Sequence, residues 1–579
     1  MDASTGNRTG RGGIARLLFS TDHKVVALLY VVTALTMLMT GFLFMLLMRW
    51  QLAYPLQPLP WVGSWFAADH PSMPGGVITA NFYNQLGAMH GTIMVFLAVV
   101  PLVVGGFGTY LVPLMLGASG LAFPRLSRAG YWFYLGGVVV LLGSFFSPGG
   151  AANSGWTAYA PLAVIENAGQ SIWLVGMALV YLSSLLLSIN MLVTIVQLRA
   201  EGMHFMRLPY FVWAQLVTAV LLILAFPPLA AAAVMQLMDR LMGSSFFLPS
   251  GLVVSGEALD VSGGGSALLW QHLFWFLGHP EVYVLLLPSF GIIAEIIANN
   301  TRKPLFGYRG MVYASLGLGA LSLLVWAHHM YLTGMGAALS EFFQLTTIMI
   351  SVPSVIIVTS LVVSLWGGSI RFNVPMLYAL AFLPMFGIGG LTGLPLAMSA
   401  TNIVLHDTYY VIGHFHYVVA PGILFAVFAG IYYWYPKATG RQMNTLLGHL
   451  HFWPTLICMN GIFSHLILQG FAGVSRRLYD GGETYAHGLE NFGLNSAATW
   501  SAFGLGVVQI FFIINFFGSL KWGSKVDSNP WRATSMEWAA PSPPLPDINF
   551  DAPPKAYRGS MTYSQPGAAT DFTPQWEEA

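Results

Sequence analysis

Charged residues and cysteine are both scarce in this chain. Only 8% of its 579 residues are charged and 56% are hydrophobic, whereas soluble domains carry about 25% charged residues. The net charge of +1 gives no basic surface for nucleic acid. A single cysteine, Cys458, excludes an internal disulfide, a CxxCH haem attachment and a multi-cysteine metal cluster. We therefore expect a multi-pass membrane protein that binds no nucleic acid.

Long apolar runs, separated by Gly, Pro or charged clusters, predict the architecture. A membrane-spanning helix needs about 20 predominantly apolar residues. On that criterion the sequence predicts twelve spans, at 25–48, 84–112, 131–149, 171–198, 209–238, 268–299, 310–330, 341–367, 376–396, 407–435, 448–470 and 495–520. The expected fold is an all-α integral membrane bundle. A short N-terminal segment at 1–24 precedes the core at 25–520, and an extended tail at 521–579 follows it.

The distribution of Lys and Arg predicts the orientation. An even number of spans puts both termini on one side of the membrane. Four of the 23 basic residues fall on the other side, and the remaining nineteen lie on the side of the termini. The four are Arg49, Arg240, Arg476 and Arg477. Because Lys and Arg accumulate in cytoplasmic loops, we expect both termini in the cytoplasm and the chain in a bacterial inner (plasma) membrane.

Six of the 15 histidines lie within or at the ends of predicted spans, at one depth. They are His90, His279, His328, His329, His414 and His416. At a rise of 1.5 Å per residue, all six come within about 20 Å of the outer surface. Burying a neutral imidazole without a partner costs a few kcal/mol. A single such histidine is often a packing residue, but six on four helices indicate a metal or cofactor site.

The stretch VIGHFHYVVA places two histidines two positions apart on one predicted helix. Two residues correspond to about 200° of helical rotation, so His414 and His416 face opposite sides and cannot share one ligand. Each can give an axial bond to a different iron porphyrin, and His90 can supply the second axial ligand of one of them. A haem with two protein ligands transfers electrons, whereas a haem with one leaves a position for a small gas.

Two further motifs supply three imidazoles and a phenol. In FWFLGHPEVYVLLLP, His279 and Tyr283 are four residues apart and share a helix face. The motif AHHM adds His328 and His329. Three histidines suit zinc as well as copper. The pair of haem-type histidines nearby favours copper.

With these motifs the chain resembles the catalytic subunit (subunit I) of the haem-copper terminal oxidases. The likeness extends over nearly the whole chain, through STDHK, GGFGTYLVPLMLGA, GWTAYAPL, WQHLFWFLGHPEVYVLLLP, HDTYYVIGHFHYV and RRLYD. GHPEVY resembles the type A cytochrome/quinol oxidase branch, because it keeps both Glu281 and Tyr283. The resemblance implies a terminal respiratory oxidase that reduces O2 to water. Electrons would pass through a low-spin haem to a high-spin haem and a copper ion, CuB, and the reaction would contribute to a proton gradient.

The resemblance also implies roles for individual residues. The ligands would be His90 and His416 for the low-spin haem, His414 for the high-spin haem, and His279, His328 and His329 for CuB. Tyr283 would be cross-linked to His279 and would donate an electron and a proton. Glu281 would act as the proton-transfer switch. The two haems would be of the a type, or else b or o.

Residues on the outer side would contact the haems or hold a second metal. These are Arg476 and Arg477 at the haem propionates, Arg49 at the ring of the low-spin haem, Trp156 near the high-spin haem, and His406 and Asp407 at a Mg or Mn site. The remaining ligand of that site would come from subunit II. The resemblance further implies subunit III and small subunits, membrane lipid as the surroundings, and cytochrome c or a copper protein, rather than quinol, as electron donor.

Both usual proton paths of the family depart from the pattern here. The stretch GASGLAFPR lacks the family's Asp, and Ile357 in SVPSVIIV stands where a lysine is usual. We expect a substitute path through Thr347, Ser354 and Glu295 to the tyrosine, or a water-rich path to Glu281. Proton pumping is expected to be absent or weakened.

Two other functions remain open on the sequence. The nitric oxide reductase branch of the same superfamily replaces copper with non-haem iron and the tyrosine with carboxylate ligands, and Tyr283 argues against it. A secondary transporter would also have twelve helices with ionisable groups. It would show inverted repeats, whereas no repeat of convincing fixed period is present, and it would not need six histidines at one depth.

Overall fold

The computed structural model describes residues 17–261 and 263–578, and these form a bundle of long helices. Arg8, Arg11 and Arg16 of the basic-residue count, and most of the predicted N-terminal segment, lie outside the described residues. The long helices are α1 His23–Ala53, α2 Ala80–Leu116, α3 Pro124–Gly143, α4 Ala168–Gln197, α5 Tyr210–Leu241, α6 Ala267–Thr301, α7 Tyr308–Ser322, α8 Ala337–Leu365, α9 Val374–Ala397, α10 Tyr409–Thr439, α11 Thr445–Phe471 and α12 Phe492–Trp522.

Ten helices of the described part are long and apolar enough to span a membrane. Helices α7 and α11 lie at the two other predicted positions but are not among these ten, and α7 has only 15 residues. The mostly helical class is therefore confirmed, while the count of twelve spans stays a prediction. The strands β1 Val253–Val254 and β2 Glu257–Ala258 form a small antiparallel hairpin. The short helices are Gly63–Trp65, Pro74–Gly76, Ser144–Phe146, Leu162–Ile165, Phe205–Arg207, Trp326–Met330, Ser399–Leu405, Ala486–Glu490 and Met536–Ala539.

Two predicted spans are interrupted. The seventh was predicted to continue to residue 330, but α7 ends at Ser322 and a separate 3-10 turn, Trp326–Met330, carries the two adjacent histidines. In α8 the helix breaks at Ile350, between Met349 and Ser351. Because Pro353 has no N–H, it cannot donate to the carbonyl of Met349, which explains the second break.

Helices α2 and α10 both contain π-helical segments close to a predicted haem histidine. In α2 these segments are Ile93–Val99 and Pro101–Gly108, and in α10 the segment is Val418–Leu424. Each helix has a proline at or in such a segment, where the missing N–H removes an α-helical hydrogen bond. π-segments in α-helices are frequent at functional sites. The local geometry therefore marks the same two helices that carry His90 and His416.

Burial separates central from peripheral helices. The most apolar windows of α2 and α6 are 94% and 89% buried inside the chain, whereas those of α1 and α12 are 22% and 28% buried. A helix that is apolar all round and buried belongs to the core of the bundle. The predicted copper and haem ligands of α2 and α6 therefore lie on the two most enclosed helices.

The segment after α12 packs across one end of the bundle instead of extending away from it. Asn549 accepts a hydrogen bond from Lys24 Nζ (2.9 Å) and donates to the carbonyl of Ala118 (2.8 Å). Asp571 forms an ion pair with Arg302 just beyond α6 (2.8 Å). Since α2, α6 and α10 each carry their histidines in the first half, the segment covers the opposite end. We call it the C-terminal tail (residues 523–578), and the end it covers the tail end.

Candidate metal and cofactor site

Three histidines converge at the centre of the bundle. His279 comes from α6, and His328 and His329 come from the 3-10 turn after α7. One nitrogen of each lies within 4.8 Å of the others, and His279 Nδ1 is 3.4 Å from His329 Nε2. Two nitrogens bound to one tetrahedral ion at ~2.0–2.1 Å lie about 3.3 Å apart. The cluster therefore fits a single metal ion.

A threonine fixes the proton on one of these imidazoles. Thr347 Oγ1 donates to the carbonyl of Phe343 (2.5 Å), so it accepts the hydrogen bond from His328 Nδ1 (3.0 Å). His328 then keeps its hydrogen on Nδ1 and presents the lone pair of Nε2 to a metal. Thr347, predicted as part of a proton path, is thus in direct contact with a predicted copper ligand.

Aromatic side chains pack against one histidine of the cluster. The Trp275 ring stacks on His329 at 3.7 Å with an interplanar angle of 13°, and its Nε1 donates to the Tyr159 hydroxyl (2.5 Å). The Trp156 ring meets Trp275 edge-on at 6.2 Å. Trp275 is not among the residues predicted from the sequence. Its spacing of four residues from His279, which places both on one helix face, is a signal that could have found it.

Tyr283 lies beside the cluster, as its four-residue spacing from His279 predicts, and Glu281 is buried on the same helix. The Tyr283 ring is 4.9 Å from the His279 ring. Among the described residues, His279 Nε2 and both carboxyl oxygens of Glu281 are buried without a hydrogen-bond partner. Such groups are rare in folded proteins because burying them unpaired is costly. They point to chemistry at this position rather than to packing.

The three predicted haem ligands share one hydrogen-bonding arrangement. Each donates its Nδ1–H to a backbone carbonyl: His90 to Gly41 (2.8 Å), His414 to Gly389 (2.8 Å) and His416 to Ile412 (2.9 Å). A carbonyl can only accept, so the hydrogen sits on Nδ1 and Nε2 carries a free lone pair. This is the tautomer that an axial ligand of iron requires, and the residues therefore fit two haems.

Two pairs of the candidate ligand histidines lie near one another. His90 and His416 are close enough to interact through their charges, and so are His414 and His328. A Cβ on Gly393 of α9 would lie 2.8 Å from His414 Cε1. Only a glycine lets α9 come this close to the imidazole.

Arg49 is buried and bound to the last helix. Its Nε donates to Thr499 Oγ1 (3.0 Å) and its Nη2 to the carbonyl of Asn495 (2.6 Å). Both partners belong to α12. Buried guanidinium groups are retained only when they are hydrogen-bonded, and α1 and α12 satisfy this one together.

The other predicted outer residues form an ionic cluster in the loops before α10 and after α11. Arg476 Nε lies 2.6 Å from Asp407 Oδ1, and His406 Nε2 lies 3.5 Å from Asp407 Oδ2. Burial raises the pKa of Asp407, but Arg476, His406 and Arg477 together outweigh burial and hold that pKa below its ordinary value. The Arg477 guanidinium lies beside Gly155. Trp156, which follows Gly155 in the chain, packs on Gly91.

The remaining proton-path candidates are spread along the bundle. Ser354 Oγ donates to the carbonyl of Ile350 (3.3 Å). Glu295 is buried near the tail end, where its Oε1 accepts the amide of Phe211 (3.3 Å). Twelve residues of α6 separate it from Tyr283, which is about 18 Å along the helix. The structure thus brings Thr347 to the cluster and leaves Glu295 at the other end.

The chain is similar to known proteins over almost its full length. The family model described as Cytochrome C and Quinol oxidase polypeptide I matches residues 25–507. A Bradyrhizobium diazoefficiens protein named alternative cytochrome c oxidase subunit 1 is 43% identical over 97% of this chain and 93% of its own length. Cytochrome c oxidase subunit 1 of Synechocystis sp. is 41% identical over 96% and 94%. A solved haem-copper terminal oxidase dimer shares the fold, with a TM-score of 0.67, 21% identity and coverage of 92% and 88%.

Together, the helical bundle, the histidine clusters and these relatives define a haem-copper oxidase. The chain belongs to the family Cytochrome C and Quinol oxidase polypeptide I and is a subunit I. It is therefore a membrane oxidoreductase of respiratory electron transport that acts on O2. The predicted resemblance is confirmed, and the matched residues include every predicted haem and copper ligand.

Proposed function

We propose that this subunit reduces O2 to water at a centre built from a high-spin haem on His414 and CuB on the three clustered histidines, with electrons arriving through a low-spin haem on His90 and His416. The observation that carries the proposal is the convergence of three imidazole nitrogens within 4.8 Å, with Tyr283 at 4.9 Å from one of the rings. That tyrosine favours the type A branch over the nitric oxide reductase branch.

The chain's own residues hold the ligands in a fixed orientation. When bound, the two haems supply electron transfer and an O2 site, and copper supplies a second redox and Lewis-acid centre. Carbonyl acceptors fix the tautomers of the haem histidines, and Thr347 does the same for His328. Stacking on Trp275 restricts rotation of His329. Such outer contacts raise ligand basicity and prevent the imidazoles from turning away.

Tyr283 and Glu281 are the groups proposed to deliver protons at the centre. The unpartnered Nε2 of His279 and the adjacent Tyr283 ring favour a covalent link between them. Tyr283 would then donate an electron and a proton during reduction. Glu281, whose carboxyl oxygens have no hydrogen-bond partner among the described residues, would carry protons to the site.

Protons would reach this centre by a path that differs from the usual ones, since the loop Asp and the helix Lys of the family are absent. E281Q and E295Q, measured separately, test it. Each amide keeps the shape but carries no transferable proton, so we expect at least a tenfold fall in O2 turnover in one or both. Unchanged turnover in both variants rules the path out. Counting protons per electron in vesicles tests whether pumping is absent or weakened.

The remaining assignments concern the complex around this subunit. We infer twelve spans with both termini in the cytoplasm of a bacterial inner membrane. Subunit II would bring electrons from cytochrome c, and His406 and Asp407 would bind Mg or Mn at its interface. Arg476, Arg477, Arg49 and Trp156 would contact the haems. The relatives named cytochrome c oxidase support this donor.

One set of measurements on the purified complex tests the proposed function. A pyridine haemochrome spectrum identifies the haems, expected to be of the a type. Metal analysis should give copper without non-haem iron, and the complex should consume O2 with reduced cytochrome c. Non-haem iron in place of copper identifies the nitric oxide reductase branch instead, and a spectrum without haem excludes both.

A further inference from the structure

A buried carboxyl group in the C-terminal tail faces the tail end of α6. Glu537 lies in the short helix Met536–Ala539 and is fully buried. Its Oε1 accepts hydrogen bonds from Ser535 Oγ (2.9 Å) and Trp434 Nε1 (3.4 Å). Its Oε2 has no hydrogen-bond partner in the part of the chain that the structure describes. A buried acid with a free oxygen is costly unless the group is used.

Glu295 of α6 is another buried carboxyl group at this end. A charge–charge interaction links Glu295 with Glu537. Phe211 donates its amide to Glu295 Oε1 (3.3 Å), and its ring lies 6.2 Å from the ring of Trp434, which donates to Glu537. The two acids therefore contact neighbouring residues, Phe211 and Trp434, whose rings pack against each other.

The tail covers this end of α6 and α10 closely. Asn299, one turn after Glu295, donates to the Trp531 carbonyl (3.3 Å) and the Tyr563 hydroxyl (3.2 Å) of the tail. Lys437 of α10 donates to the carbonyl of Ala540 (2.6 Å). A proton that reaches Glu295 from the water at this end must therefore cross the tail.

The charges around the two acids favour one shared proton. The charged and titratable groups that interact with one or both acids are Lys437 and Tyr433 of α10, Tyr308 of α7 and Tyr563 of the tail. The backbone of Tyr210 in α5 also contacts Glu295, and Arg302 after α6 interacts with Tyr433 and Tyr563. Lys437 is close enough to Glu537 to interact through its charge and can compensate one carboxylate. Two buried carboxylates whose charges interact cannot both ionise easily. Burial also raises the pKa of Glu537.

We propose that Glu537 passes protons to Glu295, so that the tail of this subunit supplies the entrance of the path that its sequence otherwise lacks. This proposal rests on the proposed function, in which Glu295 serves the oxygen site. A protonated Glu537 gives its proton to ionised Glu295, and the Glu537 carboxylate then takes a proton from water at the tail end. Only protons move, and no bond to carbon changes. The unpartnered Oε2 is the atom that gives and receives them.

Glu537→Gln in the purified complex is the direct test. The amide keeps the acceptor for Ser535 and Trp434 but has no proton to give. We expect turnover to fall at least tenfold with unchanged haem absorption, a slower proton uptake after reduction in a pH-indicator dye assay, and a larger solvent deuterium isotope effect. The matched control is Glu577→Gln, the same change at an exposed carboxyl of the same tail, which should stay within twofold of wild type.

The double variant E295Q/E537Q separates a common path from two independent effects. On one path the double variant is no slower than the slower single variant, whereas multiplied losses overturn the proposal. If E295Q lowers O2 turnover but E537Q turns over at the wild-type rate, the proposal is overturned and the proposed function still stands. If the wild-type complex consumes no O2, the proposed function itself fails.

A second variant decides the matter if E537Q loses its haems. Ser535→Ala removes a hydrogen bond that lowers the pKa of Glu537 and leaves the acid in place. That pKa then rises, the carboxyl stays protonated to higher pH, and the alkaline limb of turnover against pH moves upward. An unmoved limb contradicts the proposal.

Discussion

The hydrogen bond between Thr347 and His328 provides a quantitative test of the copper site. Thr347→Val keeps the side-chain shape but removes the acceptor 3.0 Å from His328 Nδ1. Losing such an outer partner typically lowers metal affinity 10–100-fold, which is about 1.4–2.8 kcal/mol. Leaving a buried N–H without a partner costs about 1–3 kcal/mol. The two figures agree, so we expect copper affinity to fall by one to two powers of ten.

The neighbouring threonine offers a matched control. The hydroxyl of Thr346 contacts only backbone carbonyls, those of Phe342 (3.0 Å), Phe343 (3.2 Å) and Leu324 (3.2 Å), so Thr346→Val should change copper affinity less than threefold. The assay is the copper content of the purified complex across a titration with a chelator of known affinity. Release of copper from T347V and T346V at the same chelator concentration would refute the role assigned to Thr347.

Two further predictions concern the haem pocket and the tail. G393A puts a methyl group 2.8 Å from His414 Cε1, and such overpacking costs about 1–3 kcal/mol. We therefore expect this variant to show reduced high-spin haem absorption. The control is G390A, whose added methyl group meets open space and should leave the absorption unchanged. Hydrogen bonds from Arg302 hold the pKa of Asp571 in the folded protein below its ordinary value of 3.8. The contact therefore stabilises the tail fully above pH 3.8, and this stabilisation is lost as the pH falls through the pKa of the folded protein. An acid protease should therefore cleave the wild-type tail increasingly below pH 3.8. The D571N variant already lacks the ion pair, so its cleavage should depend less on pH. Parallel curves of cleavage rate against pH for the two proteins would contradict this prediction.

The placement of several candidate ligand residues could be predicted because the signals are local. Helical rotation alone separates His414 from His416, and the four-residue spacing alone joins His279 to Tyr283. The structure places His279 beside Tyr283 as the spacing predicts, and the roles of these residues as ligands and proton donors stay predictions. The family, by contrast, is confirmed by the match over residues 25–507. It could be predicted because its motifs extend over nearly the whole chain.

The features that could not be predicted depend on long-range contacts or on weak local signals. The apolar run through LSLLVWAHHMYL contains no Gly or Pro, so nothing in it marks the end of α7 at Ser322. The break in α8 had a signal in Pro353, which the apolar run concealed. The tail is polar and Pro-rich, and such composition predicts an extended segment. Its buried Trp538 and Glu537 depend on α10, about a hundred positions away in the chain.

The contacts of Arg49 connect the first helix of the bundle to the last, which has a consequence for biosynthesis. Its partners Asn495 and Thr499 follow it by 446 and 450 positions. At about 5–20 residues per second, the ribosome needs roughly 20–90 seconds to reach them. During that time the guanidinium sits in an apolar segment without its final acceptors, a state that favours water, lipid headgroups or an assembly factor as temporary partners. Arg49 therefore reaches its final acceptors only near the end of translation, so cofactor insertion beside it is expected to follow synthesis of the last helix.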